Sequence, residues 1–278
     1  MHTDVFLHIS KTGGTSLSFP LRRIYGFWKT HHIGNQDHDG VRPTSYCALS
    51  ESEKERIRLI KGHVFYGLHE YCPGGSRYFT LLRNPVERVA SFHRMLKKEW
   101  PTTKVAQMSL HEYLRQDHYT RNGQVRRVAG VPPEKGKCTK TTLDRAMENL
   151  QSHFAAAGLT ERFDESLVLM KRRLGWSQYP YYVTSRVGKG KRSDGQKDGR
   201  GKTEMKAETR AIIEEQNALD VEFYRYVRER FEEAVEAEER FEEDVSRFKK
   251  RNRWFAPMAA VPLWLYRKSR RLLYLLRS

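Results

Sequence analysis

Asp4-Val5-Phe6-Leu7-His8-Ile9-Ser10-Lys11-Thr12-Gly13-Gly14-Thr15-Ser16 is the stretch around which the chain is organised. Its first six residues are apolar and rich in strand formers, and a glycine pair with a run of hydroxyl residues follows at once. That order predicts a buried strand feeding an anion-binding turn. Gly13 and Gly14 let the backbone approach an oxyanion closely, and Thr12, Thr15 and Ser16 offer hydroxyls. A helix starting near Thr15 would aim its free N–H groups at the same spot, and Lys11 adds a full positive charge.

The NTPase loop G-x-x-x-x-G-K-[ST] does not fit, because Lys11 precedes the glycines and no glycine lies five residues before it. His8-Ile9-Ser10-Lys11-Thr12-Gly13-Gly14-Thr15-Ser16 instead resembles the 5′-phosphosulfate loop HIPKTGGTS of carbohydrate sulfotransferases (heparan sulfate 2-O/6-O-like) that use 3′-phosphoadenosine 5′-phosphosulfate (PAPS). Ser10 stands where that loop carries proline. The resemblance implies an α/β fold with a P-loop-like central parallel β-sheet flanked by helices. It also implies PAPS as cofactor, bound by Lys11, Thr12, Gly13, Gly14, Thr15 and Ser16.

A second strand pattern, Arg77-Tyr78-Phe79-Thr80-Leu81-Leu82, ends at Arg83, and Asn84-Pro85 then supplies an N-cap and an N1 proline. Val86, Val89, Ala90, His93 and Leu96 share a face at helical spacing. Arg83 therefore stands at the carboxyl end of a strand, where open α/β sheets bind ligands. The run TLLRNPVERVASFHRML resembles the 3′-phosphate motif of the same sulfotransferases, which implies that Arg83 and Ser91 grip the distal phosphate of the cofactor. Arginine offers a fork of donors suited to that group.

Between these motifs lies a glycine-flanked piece with two histidines, Lys61 to Tyr71. Its GLHEY segment resembles the GLH segment that carries the catalytic base in glucosaminyl 6-O-sulfotransferases. The resemblance assigns the base to His69, with His63 beside the acceptor. Arg121 to Gly130 resembles the family's N-x-Q-x-R stretch, which implies that Asn122, Gln124 and Arg126 line the acceptor groove from an extended segment or a short helix. Ala157 to Glu165 also recurs in the family and reads as a strand-to-helix junction that supports the fold.

The chain has 278 residues, 38% of them hydrophobic, and a formal net charge of +17. That length holds one large α/β domain with an appendage, and its charge calls for anionic partners such as an acidic glycan, acidic lipid or a highly charged cofactor. The resemblance selects a glycan or other hydroxyl acceptor, and no nucleic acid. Cys47, Cys72 and Cys138 are odd in number and scattered, so no disulfide framework or zinc site is indicated. A reducing compartment, no exported leader and a bacterial-type cytoplasmic enzyme are expected. No metal is expected either.

Elsewhere the pattern is less specific. Thr15 to Trp28 reads as a helix that Pro20 kinks or shortens, His31 to Asp39 as a solvated loop, and Ser50 to Leu59 as a capped helix start. Residues 185–203 are glycine-rich and basic, a mobile loop that either closes over an anion or is merely disordered. From Glu204 onward Tyr224, Val227, Phe231, Val235, Phe241, Val245 and Phe248 predict one long C-terminal amphipathic helix broken once. A sulfotransferase domain is expected over 1–250 and a basic amphipathic tail over 251–278. Within the tail, 254–278 has the composition of a helix lying in a membrane interface, with packing on the enzyme's own domain or on a second subunit as the alternative. The expected activity is sulfuryl transfer from PAPS to an acceptor hydroxyl. A P-loop-like nucleotide kinase would need GK[ST] and a metal-holding carboxylate, and a non-catalytic polyanion-binding protein would not need Lys11 or a base.

Overall fold

A computed structural model describes residues 2–34, 38–39, 42–116, 121–183 and 205–257. Five strands form one parallel sheet: β1 (Thr3–Leu7), β2 (Thr30–Ile33), β3 (Leu59–Gly62), β4 (Ser76–Leu82) and β5 (Phe154–Leu159), in the spatial order β2-β3-β1-β4-β5. Every residue of β1 is buried, as a central strand covered on both faces requires. The register sets Leu7 beside Gly62 of β3 and Thr80 of β4, so the carboxyl ends of the central strands lie together.

The main helices are α1 (Gly14–Tyr25), α2 (Pro85–Glu99), α3 (Gly123–Ala129), α4 (Lys140–His153), α5 (Phe163–Leu174), α6 (Ala207–Gln216), α7 (Ala218–Glu236) and α8 (241–257). α2 begins as its sequence dictates: the Asn84 side chain accepts from the N–H groups of Val86 and Glu87 at 3.0 and 3.3 Å, and proline takes the first turn. Its apolar stripe packs Val86 and Val89 with Tyr113, Leu114 and Ile213 in a satellite core. The main core is continuous from Val5 in β1 to Phe248 in α8.

Four expectations change on contact with the fold. Pro20 neither ends nor shortens α1 at its own position; it is buried inside the helix, which stops at Gly26, whose φ of 84° is left-handed. Thr30–Ile33 is an edge strand rather than loop, because pairing with Leu59–Gly62 satisfies its backbone despite the polar side chains. His38–Asp39 likewise pairs antiparallel with Arg42–Pro43. The C-terminal helix is interrupted twice, at Asn217 and over 237–240, where Arg240 has a φ of 54°. The boundary expected at 250/251 falls inside α8, where Phe248 and Asn252 are buried and the Asn252 side-chain Oδ1 accepts from Tyr182 N–H at 2.8 Å. The 185–203 loop, and the tail beyond residue 257, lie outside the described residues.

Candidate active site

The loop after β1 is shaped by two left-handed residues, Lys11 at φ 71° and Gly13 at φ 88°. Gly13 is the N-cap of α1 and makes no side-chain cap, and its carbonyl accepts from Ser16 N–H at 2.9 Å. Gly14 has no room for a side chain, since a Cβ there would lie 2.1 Å from the His8 ring. The hydroxyl of Thr12 is buried and donates to the Ile9 carbonyl at 2.8 Å, so it braces the loop internally. Thr160, just past β5, lies 2.9 Å from the Thr12 carbonyl and 2.8 Å from the Leu82 carbonyl, tying the loop to the end of β4.

Arg83 comes off that strand end, and its guanidinium donates to the Lys11 carbonyl at 3.2 Å. The structure thus brings Lys11 and Arg83 together. Glu87 pairs with Arg83 at 3.4 Å. Burial pushes the Arg83 guanidinium down while Glu87 and Glu161 push it up, and an arginine remains a cation under either influence. Ser91 lies on α2, half-buried.

The two histidines of the Lys61–Tyr71 piece part company. His63 follows β3 directly, at the carboxyl end of the sheet, and its Nδ1 is 2.8 Å from the His8 carbonyl oxygen. A carbonyl only accepts, so Nδ1 carries the proton and Nε2 is left as the acceptor. The ring stacks on His8 with centroids 4.2 Å apart, and Ser10 Oγ lies 3.4 Å from Nδ1. Burial first, and then the charge of His63, Arg127 and Lys61, hold His8 well below the usual histidine range, so it is a neutral platform. Arg127 donates to the His63 carbonyl at 2.6 Å and lies over the Phe65 ring, which holds the segment at two points.

His69 is elsewhere. Its Nδ1 and backbone N–H lie 3.1 and 2.9 Å from the Tyr78 hydroxyl, and its ring stacks on His153, which directly precedes β5. Tyr78 stands near the start of β4, about 16 Å along the strand from Arg83 at 3.3 Å per residue. His69 therefore sits at the amino end of the sheet, with Tyr66 and His153 as neighbours, and the structure does not bring it to the loop. Burial, and the charge of His153, lower its pKa.

Asn122, Gln124 and Arg126 are divided as well. Asn122 is the left-handed N-cap of α3, and Gln124 is fully enclosed with its amide bonded to the Arg83 backbone, so neither is set along an extended face. Arg126 is half-buried and donates to the Gly136 carbonyl at 2.9 Å. Among the described residues no group of three or more His, Cys, Asp or Glu side chains could hold a metal. His8, Thr160 and Glu161, whose carboxylate accepts from Asn84 N–H at 2.9 Å, were not singled out from the sequence as site residues. For His63 the signal was present: it follows a strand immediately, at the end where such sheets bind ligands.

The glycine loop, the N-terminus of α1 and the Arg83 guanidinium, which bonds the Lys11 carbonyl, meet at the carboxyl end of the sheet, and backbone N–H groups and a guanidinium are donors of the kind that suit anionic oxygens. The model of the galactose-3-O-sulfotransferase family matches residues 5–260. Human galactose-3-O-sulfotransferase 2 is 26% identical over 190 residues, covering 60% of this chain and 47% of that protein. The chain thus spans about half the length of that curated relative. A crystal structure of a sulfotransferase from Alicyclobacillus acidocaldarius aligns with a TM-score of 0.45 at 16% identity, covering 82% of this chain and 96% of that one. The matching family model is that of the galactose 3-O enzymes, not of the heparan sulfate 2-O/6-O-like branch named from the loop. By the extent of that match, the chain belongs to the galactose-3-O-sulfotransferase family.

Proposed function

We propose that the protein transfers a sulfuryl group from PAPS to a glycan hydroxyl, with a galactose unit as the acceptor that the family's name points to. The observation that carries this reading is the meeting of the 10–16 loop, Arg83 and His63 at the carboxyl ends of β1, β3 and β4. When bound, PAPS supplies the activated sulfuryl group. Lys11 and the N–H groups of the loop and α1 offset charge that builds on the leaving phosphate oxygen. Arg83, with Ser91, holds the distal phosphate.

His63 is the base in this reading, and His69 is not. Its protonated Nδ1 is held by the His8 carbonyl, so Nε2 takes the proton of the acceptor hydroxyl. Arg126 and the excess of basic residues favour an acceptor with acidic groups. A cytoplasmic enzyme that touches a membrane through 254–278 completes the reading; among the described residues no helix is long and apolar enough to cross one.

The test is ligand-induced stabilisation followed by transfer. Adenosine 3′,5′-bisphosphate should raise the melting temperature strongly while ATP with Mg²⁺ does little. Labelled PAPS should then mark galactose-terminated glycans. Stabilisation by ATP with Mg²⁺ and none by the bisphosphate would return the chain to the kinase reading.

A further inference from the structure

Arg83 lies just past the last ladder pair of β4, Leu82 with Leu159, so its backbone has left the sheet. Gln124 takes over both backbone groups: its Oε1 accepts from Arg83 N–H at 2.9 Å and its Nε2 donates to the Arg83 carbonyl at 2.9 Å. Gln124 is itself held from α7. The Asp220 carboxylate accepts from the N–H groups of Gln124 and Val125 at 3.0 and 2.9 Å, which fixes the start of α3. The Arg88 guanidinium donates to the same carboxylate at 3.2 Å, and Asp220 N–H donates to Asn122 Oδ1 at 3.0 Å. Asp220 and Gln124 are both fully enclosed.

A buried Arg–Asp pair is weak evidence of stabilisation, because desolvation offsets much of its attraction. What such a pair supplies here is direction. Each hydrogen bond in the series has one geometry, and the series ends on the backbone of the arginine whose guanidinium reaches the Lys11 carbonyl. A shift of Gln124 would move the origin of that side chain, and small misplacements of a binding group have large effects on its function.

On the reading of Arg83 as the residue that holds the cofactor's distal phosphate, we propose that Gln124 and Asp220 are positioning residues for it. They form a relay from α7 through the start of α3 to the end of β4. Gln124 would then act on the cofactor side of the reaction rather than in the acceptor groove. Neither residue touches the reacting atoms.

The test measures the dissociation constant for adenosine 5′-monophosphate divided by that for adenosine 3′,5′-bisphosphate, a ratio that isolates the 3′-phosphate. Gln124→Met keeps the volume and removes both hydrogen bonds. It should weaken bisphosphate binding about tenfold, the scale of one lost buried pair, and leave monophosphate binding unchanged. Gln124→Asn keeps both polar groups but shortens their reach by one methylene, and should lower the ratio in the same direction; it serves also if the methionine variant fails to fold. Asp220→Asn should move the ratio in the same direction. Arg83→Ala is the control for the underlying reading. If it collapses the ratio while the Gln124 variants leave it intact, the relay is wrong and the phosphate role of Arg83 stands. Equal weakening of both ligands by the Gln124 variants would mark a general structural role and overturn the relay too. An unchanged ratio in Arg83→Ala would overturn both.

Discussion

The His63 imidazole lies over His8 with ring centroids 4.2 Å apart, while its Nδ1 donates to the carbonyl of that same residue at 2.8 Å. One neutral residue is thus both the platform and the tautomer lock for the ring that faces the loop. His63→Ala should lower turnover on the order of 10²–10⁴-fold, as loss of a general base does, with bisphosphate affinity retained. His69→Ala should leave turnover nearly unchanged. Steady-state kinetics on both variants decide the matter, and a crippled His69→Ala beside a mild His63→Ala would reverse the assignment.

Lys11 and Arg83 touch, yet they should answer to different parameters. Charge on the leaving oxygen develops in the transition state, so Lys11→Ala should mainly depress kcat, by about 10²–10³-fold. The distal phosphate is charged throughout, so Arg83→Ala should mainly raise the KM for PAPS, by about 10–100-fold for a lost charged contact. Equal losses in cofactor affinity alone would contradict the role given to Lys11.

Gly14 is the tightest point of the loop. A methyl group there would lie 2.1 Å from the His8 ring, and overpacking of a filled site costs about 1–3 kcal/mol or more. Gly14→Ala should lower the melting temperature and weaken bisphosphate binding together. Because the clash is with one ring, Gly14→Ala combined with His8→Ala should be less destabilised than the sum of the two single changes. Strict additivity in a denaturation series would show that the loop yields elsewhere.

Acid should weaken the fold before its carboxylates titrate. Burial lowers the pKa of His8, His69 and His93, so the folded chain holds these rings neutral while the unfolded chain protonates them near 6.5. Their contribution is complete above that pH and is lost as pH falls towards the folded values. Urea unfolding should therefore give lower stability at pH 5.5 than at pH 7.5, and His8→Phe should narrow the difference. Stability that is flat or rising on acidification would rule this out.

Trp254 is 76% exposed on α8, and from there the sequence interleaves Arg267, Lys268, Arg270, Arg271 and Arg277 with leucine and tyrosine. A basic residue near an anionic lipid surface contributes about 1 kcal/mol, which salt screens. The full chain should sediment with phosphatidylserine vesicles at low salt, and a chain ending at residue 257 should stay in the supernatant and remain active. If both forms stay behind, 258–278 is no membrane element.

The strands at the site were legible because apolar runs ending in Gly13-Gly14 and Asn84-Pro85 are local signals. The sheet order was not, and with it went the placement of the histidines. His63 and His69 sit six residues apart, yet a short turn carries the chain from one end of the sheet to the other between them. Resemblance of a five-residue segment could not register that reversal. Thr30–Ile33 was missed for a related reason: its strand character comes from its partner rather than from its side chains. Gln124 was noticed, but its bond to Arg83 joins residues far apart in the chain, which no spacing rule encodes. Glu161 lay in a stretch read only as a strand-to-helix junction, and its bond to Asn84 N–H joins residues 77 positions apart.

The last described helix returns to the first. Phe255 of α8 packs on Phe19 of α1, and the Arg23 guanidinium lies over the same ring. The helix whose N-terminus meets the loop therefore takes part of its outer packing from residues more than two hundred positions further along the chain, beside Trp176 and Tyr181. Contacts so far apart in sequence close slowly. A chain cut before α8 keeps the whole HISKTGGTS loop but loses this cover, so α1 should fray at its outer face while the loop sequence is untouched.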